Sequence, residues 1–239
     1  MSARLIGCPK SGNNWLKFML NKYYKNEDVN EINPYTSKYK WTHDGSAIYY
    51  GRRESKTKSF FEEKNKKKYR GDRIILLIRD PRDVIVSLYH HMINRKSKDF
   101  KFGNLSNFIR DDVCGFNRIL FFYDLWKKSL DDPKEIMIVS YEDLKNNGIE
   151  TLSKIISFID KPADEEMVKR IYENSEFSKM KELERNGKIS GLRKSKQNED
   201  AMIVRKGKIG GYVDYMNEDD IEYCNNLMKE IKPIYNSYF

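Results

Sequence analysis

Gly7-Cys8-Pro9-Lys10-Ser11-Gly12-Asn13-Asn14-Trp15 (GCPKSGNNW, residues 7–15) stands between a short apolar run and a helical pattern. Ala3 to Cys8 reads as a short buried strand. From Asn13 onward Trp15, Phe18, Met19, Lys22 and Tyr23 fall at helical spacing. The stretch is therefore a strand-to-helix turn, where an anion can meet backbone N–H groups and the positive end of a helix dipole. Its two glycines match the spacing of the phosphate loop G-x-x-x-x-G-K-[ST]. Yet Asn13 and Asn14 stand where that motif places Lys and Ser/Thr, and the lysine lies inside the loop, at Lys10.

Working outward, Arg73-Ile74-Ile75-Leu76-Leu77-Ile78-Arg79 is a continuous apolar, β-branched run of strand length. Absence of alternation points to a strand covered on both faces, as in a parallel sheet. Asp80-Pro81 reads as N-cap and first helical residue, and Val84, Ile85, Leu88 and Tyr89 continue the helix. Residues 105–130 form one helical stretch, Glu135 to Tyr141 a second internal strand, and Leu152, Ile155, Ile156 and Ile159 mark the next helix. Residues 163–183 are helical, 184–211 form a long basic loop of the kind that often serves as a lid or binding loop, and Glu218 to Tyr235 is a C-terminal helix. Residues 26–70 read as loops with short elements. Alternating strands and helices make an α/β fold with a parallel sheet.

The chain of 239 residues suits one α/β domain, and 39% hydrophobic residues are enough for a core. A net charge of +9 fits a polyanionic ligand, nucleic acid or an anionic surface, although runs such as Lys64-Asn65-Lys66-Lys67-Lys68 also read as solvated faces. Three cysteines (Cys8, Cys114, Cys224) and three histidines (His43, His90, His91) form no metal-ligand spacing and no disulfide framework. Neither a signal peptide nor an apolar run long enough for a membrane span is visible, so a cytoplasmic location and no metal are the expectations.

Three segments carry chemistry: Pro9 to Trp15, Arg79-Asp80-Pro81-Arg82-Asp83-Val84-Ile85-Val86-Ser87, and Arg205-Lys206-Gly207-Lys208-Ile209-Gly210-Gly211. Singly, each has a structural reading as a turn, a capped helix start or a basic turn. The first two follow strands, where ligands of parallel sheets bind, and the third could fold over them.

Together, PKSGNNW, LLIRDPRDVIVSLYH, VSYEDLKNN and VRKGKIGG resemble, in order, the sulfotransferases that use 3′-phosphoadenosine 5′-phosphosulfate (PAPS). The resemblance spans roughly residues 4–215. It implies a single sulfotransferase domain over 1–239, a P-loop-like three-layer fold with a central, mainly parallel sheet flanked by helices. It implies sulfuryl transfer to a hydroxyl of a small phenol or alcohol, with a sugar hydroxyl or an amine as alternative acceptors. Lys10 is implied to reach the oxygen bridging phosphorus and sulfur, with Ser11, Gly12, Asn13 and Asn14 around the 5′-phosphate. Arg79 and Ser87 would hold the 3′-phosphate with Arg205, Lys206 and Gly207, while Trp15 and Phe177 sandwich the adenine near Tyr141. Ser87 is also implied to hold Lys10 back until the acceptor binds.

The family's base is a histidine between the first loop and the RDP strand, and His43 is the only one in that interval. The family's lysine two residues before it is Trp41 here. The late motif, commonly RKGxxGDWK, reads RKGKIGGYV, and the usual dimer motif after it is not visible. Phe60, Phe61, Tyr49, Tyr50, Phe100 and Phe102 are the candidates for the acceptor pocket. Two rivals remain: a P-loop nucleotide kinase, with Asp80 as acidic metal ligand, and a nucleic-acid-binding module, which would interleave basic and aromatic residues on one element.

Overall fold

The computed structural model describes residues 3–25, 27–32, 38–46, 60–95, 102–160, 162–190, 202, 206–231 and 234–237. Four parallel strands form the sheet: β1 (Ala3–Gly7), β2 (Tyr39–Thr42), β3 (Arg73–Ile78) and β4 (Glu135–Ser140). Their spatial order is β2-β1-β3-β4. The chain leaves β1 for one neighbour and later returns to the other side of β1. The crevice beyond the ends of β1 and β3 is thus the topological switch point, where ligands of such sheets bind.

The alternating pleat splits β3 between two cores. Ile74, Leu76 and Ile78 pack against α2 (Pro81–Arg95), α4 (Phe116–Lys127) and α9 (Glu218–Ile231). Ile75 and Leu77 face the other way, with α1 (Asn13–Tyr24), α6 (Gly148–Ile159) and α7 (Glu165–Asn174). All five are fully buried. At about 1.5–3 kcal/mol per buried aliphatic side chain, the three-layer arrangement follows from the continuous apolar run.

The helix starts follow local rules. Asp80 caps α2, accepting from the Arg82 N–H at 2.9 Å, one residue ahead of Pro81. Ser140 and Asp143 form a reciprocal capping box at the start of α5 (Tyr141–Asn146).

Three element readings change. The stretch 105–130 is two helices, α3 (Leu105–Ile109) and α4, because Asp111 takes the N–H groups of Val113 and Cys114. A Cβ on Gly115 would lie 2.3 Å from the Asp111 carbonyl, so the backbone there turns tightly. The stretch 163–183 divides into α7 and α8 (Phe177–Arg185) at Ser175, whose carbonyl accepts from the Trp15 indole at 2.7 Å. Edge strand β2 is one of the short elements expected within residues 26–70. The C-terminal helix ends at Ile231 and a 3₁₀ turn follows at Ile234–Ser237. No described helix is long and apolar enough to cross a membrane.

Candidate active site

The loop after β1 spends conformational energy on its shape. Lys10 has φ +74° and Gly12 φ +97°, both left-handed, and a non-glycine residue there costs of order 1 kcal/mol or more. A Cβ on Gly12 would meet the Tyr141 ring at 2.7 Å, so the position needs glycine twice over. Gly12 is the N-cap of α1 and offers no side-chain cap, and the first turn holds no acidic residue. The helix start therefore presents its N–H groups and positive dipole uncompensated by its own sequence. Asn13 donates from Nδ2 to the Cys8 carbonyl at 2.7 Å and braces the loop from within. Burial pushes the Cys8 thiol up to about 12, which keeps it protonated and inert.

Arg79, at the end of β3, joins three elements. Its guanidinium donates to the Lys10 carbonyl (3.2 Å), the Lys208 carbonyl (3.0 Å) and Asp83 Oδ2 (3.3 Å), and lies 4.3 Å over the Tyr141 ring. Its backbone N–H and carbonyl both bond the Tyr123 hydroxyl, which also meets Ser11 Oγ at 3.3 Å. Asp83 in turn accepts from the N–H groups of Gly210 (3.0 Å) and Tyr212 (2.9 Å). One carboxylate of α2 thereby fixes the late loop beside Arg79. Burial raises the Asp83 pKa, and the Arg79 charge works against that rise.

Gly207 sits under Phe177, with φ +60° and a would-be Cβ 2.3 Å from the ring. Gly207→Ala strains the backbone and displaces the ring, so it should lower unfolding free energy by about 1–3 kcal/mol. Urea denaturation with an unchanged m-value checks this; wild-type stability would show that the loop and ring do not pack as described.

His43 follows β2 directly. Its Nδ1 lies 2.8 Å from the Gly7 carbonyl. A carbonyl only accepts, so neutral His43 donates from Nδ1 and carries its lone pair on Nε2, on the far side of the ring. The following turn is held by buried charge. Asp44 meets Lys66 at 2.5 Å and accepts from the Tyr69 hydroxyl at 2.6 Å, and both ionic side chains are fully buried. Lys66 belongs to the run read as solvated; within it this lysine is core. The buried Arg118 donates to the carbonyls of Gly45 (2.8 Å) and Ser46 (3.0 Å).

One cavity of about 240 Å³ collects these groups. Of the residues expected from sequence, Lys10, Gly12, Asn13, Asn14, Trp15, His43, Arg79, Ser87, Tyr141, Phe177, Lys206 and Gly207 all line it. Ser11 does not: its side chain is fully buried and turned to Tyr123. Arg205, Tyr49, Tyr50 and Phe100 lie outside the described residues. Phe60, Phe61 and Phe102 are absent from the wall. Phe60 packs on Phe61 and Phe121, and Phe102 on Phe108.

The wall also holds His91, and Asp83, Lys145, Lys208 and Tyr215, which the sequence reading left without individual site roles. The Lys145 ammonium lies 5.8 Å from the Trp15 ring centre and 5.9 Å from that of Phe177. Its signal was its place four residues after Tyr141, one helical turn along. Asp80 has no free role as a metal ligand: both its oxygens are engaged by the Arg82 guanidinium, at 3.0 and 2.6 Å.

A model of the sulfotransferase domain matches residues 3–232. The chain belongs to the sulfotransferase family. Zebrafish (Danio rerio) sulfotransferase 6B1 is 33% identical over 178 residues, covering 71% of this chain and 52% of the relative. Human sulfotransferase 2A1 is 27% identical over 248 residues, 95% of this chain and 82% of the relative. The chain spans about half the length of the first curated relatives it matches, 52% of the zebrafish protein and 46% of Arabidopsis thaliana cytosolic sulfotransferase 15. Mouse sulfotransferase SULT7A1, solved in complex with PAP, superposes with a TM-score of 0.66 at 17% identity, covering 96% of this chain and 84% of that one. At that identity the likeness establishes the fold, a P-loop-like α/β sandwich.

Proposed function

We propose that this chain, as a single domain, transfers a sulfuryl group from PAPS to a hydroxyl of a small acceptor, releasing 3′-phosphoadenosine 5′-phosphate (PAP). The observation that carries the reading is the fixed imidazole of His43 on a cavity wall shared with Lys10 and Arg79. Two features of the wall fit a polyanionic nucleotide. Lys10, Arg79, Lys145, Lys206 and Lys208 line the cavity, while Asp83 is the only carboxylate among the described lining residues. Arg79 Nε and Asn13 Oδ1 are buried polar atoms that have no hydrogen-bond partner among the described residues. A buried guanidinium N–H left unbonded is a donor awaiting an acceptor, and a phosphate oxygen supplies one.

Bound PAPS supplies the activated sulfuryl group; the rest falls to the chain. The uncapped start of α1, with Gly12, Asn13 and Asn14, would hold the 5′-phosphate, and Arg79, Ser87, Lys206 and Gly207 the 3′-phosphate. Trp15, Phe177 and Tyr141 offer faces to the base. His43 Nε2 takes the acceptor's hydroxyl proton. Lys10 neutralises charge on the departing phosphate oxygen, and Ser87 positions Lys10. Positioning and fixed charge account for the acceleration.

The test is sulfuryl transfer itself. Purified chain incubated with PAPS and a panel of phenols and alcohols should release PAP in step with sulfated product. A well-folded chain that binds PAP but sulfates no hydroxyl compound would remove the acceptor assignment; one that binds no PAP would remove the reading altogether.

A further inference from the structure

Behind His43, off the cavity wall, sits a lysine that no carboxylate among the described residues balances. Lys17, on the second turn of α1, is 3% exposed. Its ammonium lies 3.7 Å from the centre of the Trp41 ring, and among the described residues it has no ion-pair or hydrogen-bond partner. Trp41 meets His43 edge-on, ring centroids 4.7 Å apart at 85°. Lys17 and Trp41 do not line the cavity, so whatever they do there passes through His43.

A buried ammonium is costly unless something compensates it, and a leucine or methionine at this position would avoid the cost. Here the compensation is the face of the indole. The stacking fixes the plane of Trp41, and the edge contact fixes the plane of His43. With its ring so held, His43 keeps Nδ1 on the Gly7 carbonyl. We infer that Lys17 is a positioning residue, which through Trp41 holds the imidazole in the one tautomer and orientation that leave Nε2 to take a proton. This rests on the reading of His43 as the base.

The device has a built-in readout. Burial lowers the Lys17 pKa to about 8, so the ammonium, and with it the attraction to Trp41, is present below that pH and lost as pH rises through it. Other titratable groups stand on α1, on β2 and at the site. On α1, Lys22 is also held down by burial and donates to the Glu27 carbonyl, while burial raises Tyr24. On β2, burial raises the Tyr39 phenol. Beside His43, Asp44 is tied to Lys66 and Lys68, and Lys10, Arg79, His91 and Lys206 share the cavity wall. Lys22 is the one to control for.

The experiment is ¹⁵N NMR of histidine-labelled protein, recording imidazole nitrogen shifts from neutral to alkaline pH, with His43→Gln to assign the signal. In wild type and in Lys22→Met, His43 should show the Nδ1–H tautomer near neutrality and lose it as pH passes about 8. Lys17→Arg, which stays charged, should keep the tautomer across the range. Lys17→Met should lack it throughout while still binding PAP by calorimetry. A PAP-binding Lys17→Met with the wild-type spectrum would overturn the inference. So would a wild-type signal that does not change on passing that pH, a result available even where Lys17→Met fails to fold. Should the spectra behave as expected while His43→Gln transfers sulfuryl at the wild-type rate, Lys17 still positions His43, and it is the assignment of His43 as base that falls.

Discussion

Replacing His43 with alanine should lower the sulfuryl-transfer rate by about 10²–10⁴ while leaving the affinity for PAP unchanged. The split follows from geometry. His43 holds its Nδ1 on a backbone carbonyl, and in the proposed reading its Nε2 serves the reacting hydroxyl while other residues take the phosphates. Loss of the Gly7 contact costs little in stability, because the turn after His43 is secured independently by Asp44, Lys66, Tyr69 and Arg118. The measurement is kcat by PAP release alongside calorimetric Kd for PAP, for wild type and His43→Ala. A variant whose rate falls less than about tenfold would place the base elsewhere, His91 being the other histidine on the cavity wall.

Arg79→Ala carries the second large effect, and it has two parts. Wild type at a PAP concentration of about 100 Kd should gain roughly 2.7 kcal/mol of stability. In the variant that gain should vanish, because charge-assisted contacts to phosphate are worth about 1.5–3 kcal/mol each. Without ligand the variant should also be less stable by about 3 kcal/mol, since Asp83 loses its cation while its side chain is only 2% exposed. Arg79→Lys separates the parts: it keeps a charge beside Asp83 but not the planar fork that also reaches the Lys10 and Lys208 carbonyls. Denaturant unfolding with and without PAP reads both. Retention of wild-type PAP affinity in Arg79→Ala would remove Arg79 from the nucleotide site.

Much of this site was legible in the sequence because its elements announce themselves locally. The run RIILLI has no alternation and must be covered on both sides. Asp80-Pro81 and the glycine spacing of the first loop are punctuation that a single segment suffices to read. What escaped was set by distant partners. The break at Ser175 exists because an indole from α1 claims a carbonyl there. Lys66 is buried because Asp44 and Glu63 reach it, which nothing in a lysine run reveals. Asp83 has the spacing of an ordinary helix-start acid, and only the late loop's N–H groups give it a task. The four-residue strand β2 is too short for a periodic signal and owes its form to pairing with β1. The packing of Phe60 and Phe61 on Phe121 was equally hidden, because aromatic residues in a polar stretch fit a small core under a loop as well as a pocket wall.

The place of β1 in the sheet governs how the molecule comes into being. Strand β1, first of the four in chain order, is an interior one: Ala3 pairs with Tyr39 on one side and Arg73 on the other, and Arg73 in turn with Glu135. None of these pairings is local, and each must close a long loop before its hydrogen bonds repay the lost chain entropy. During synthesis β1 therefore waits with both edges open while most of the sheet is still to be made, a state in which an apolar strand is prone to pair with the wrong partner. Lys206, which shares the cavity wall with Lys10, follows all four strands in chain order, so the cavity can close only after every strand of the sheet has been made.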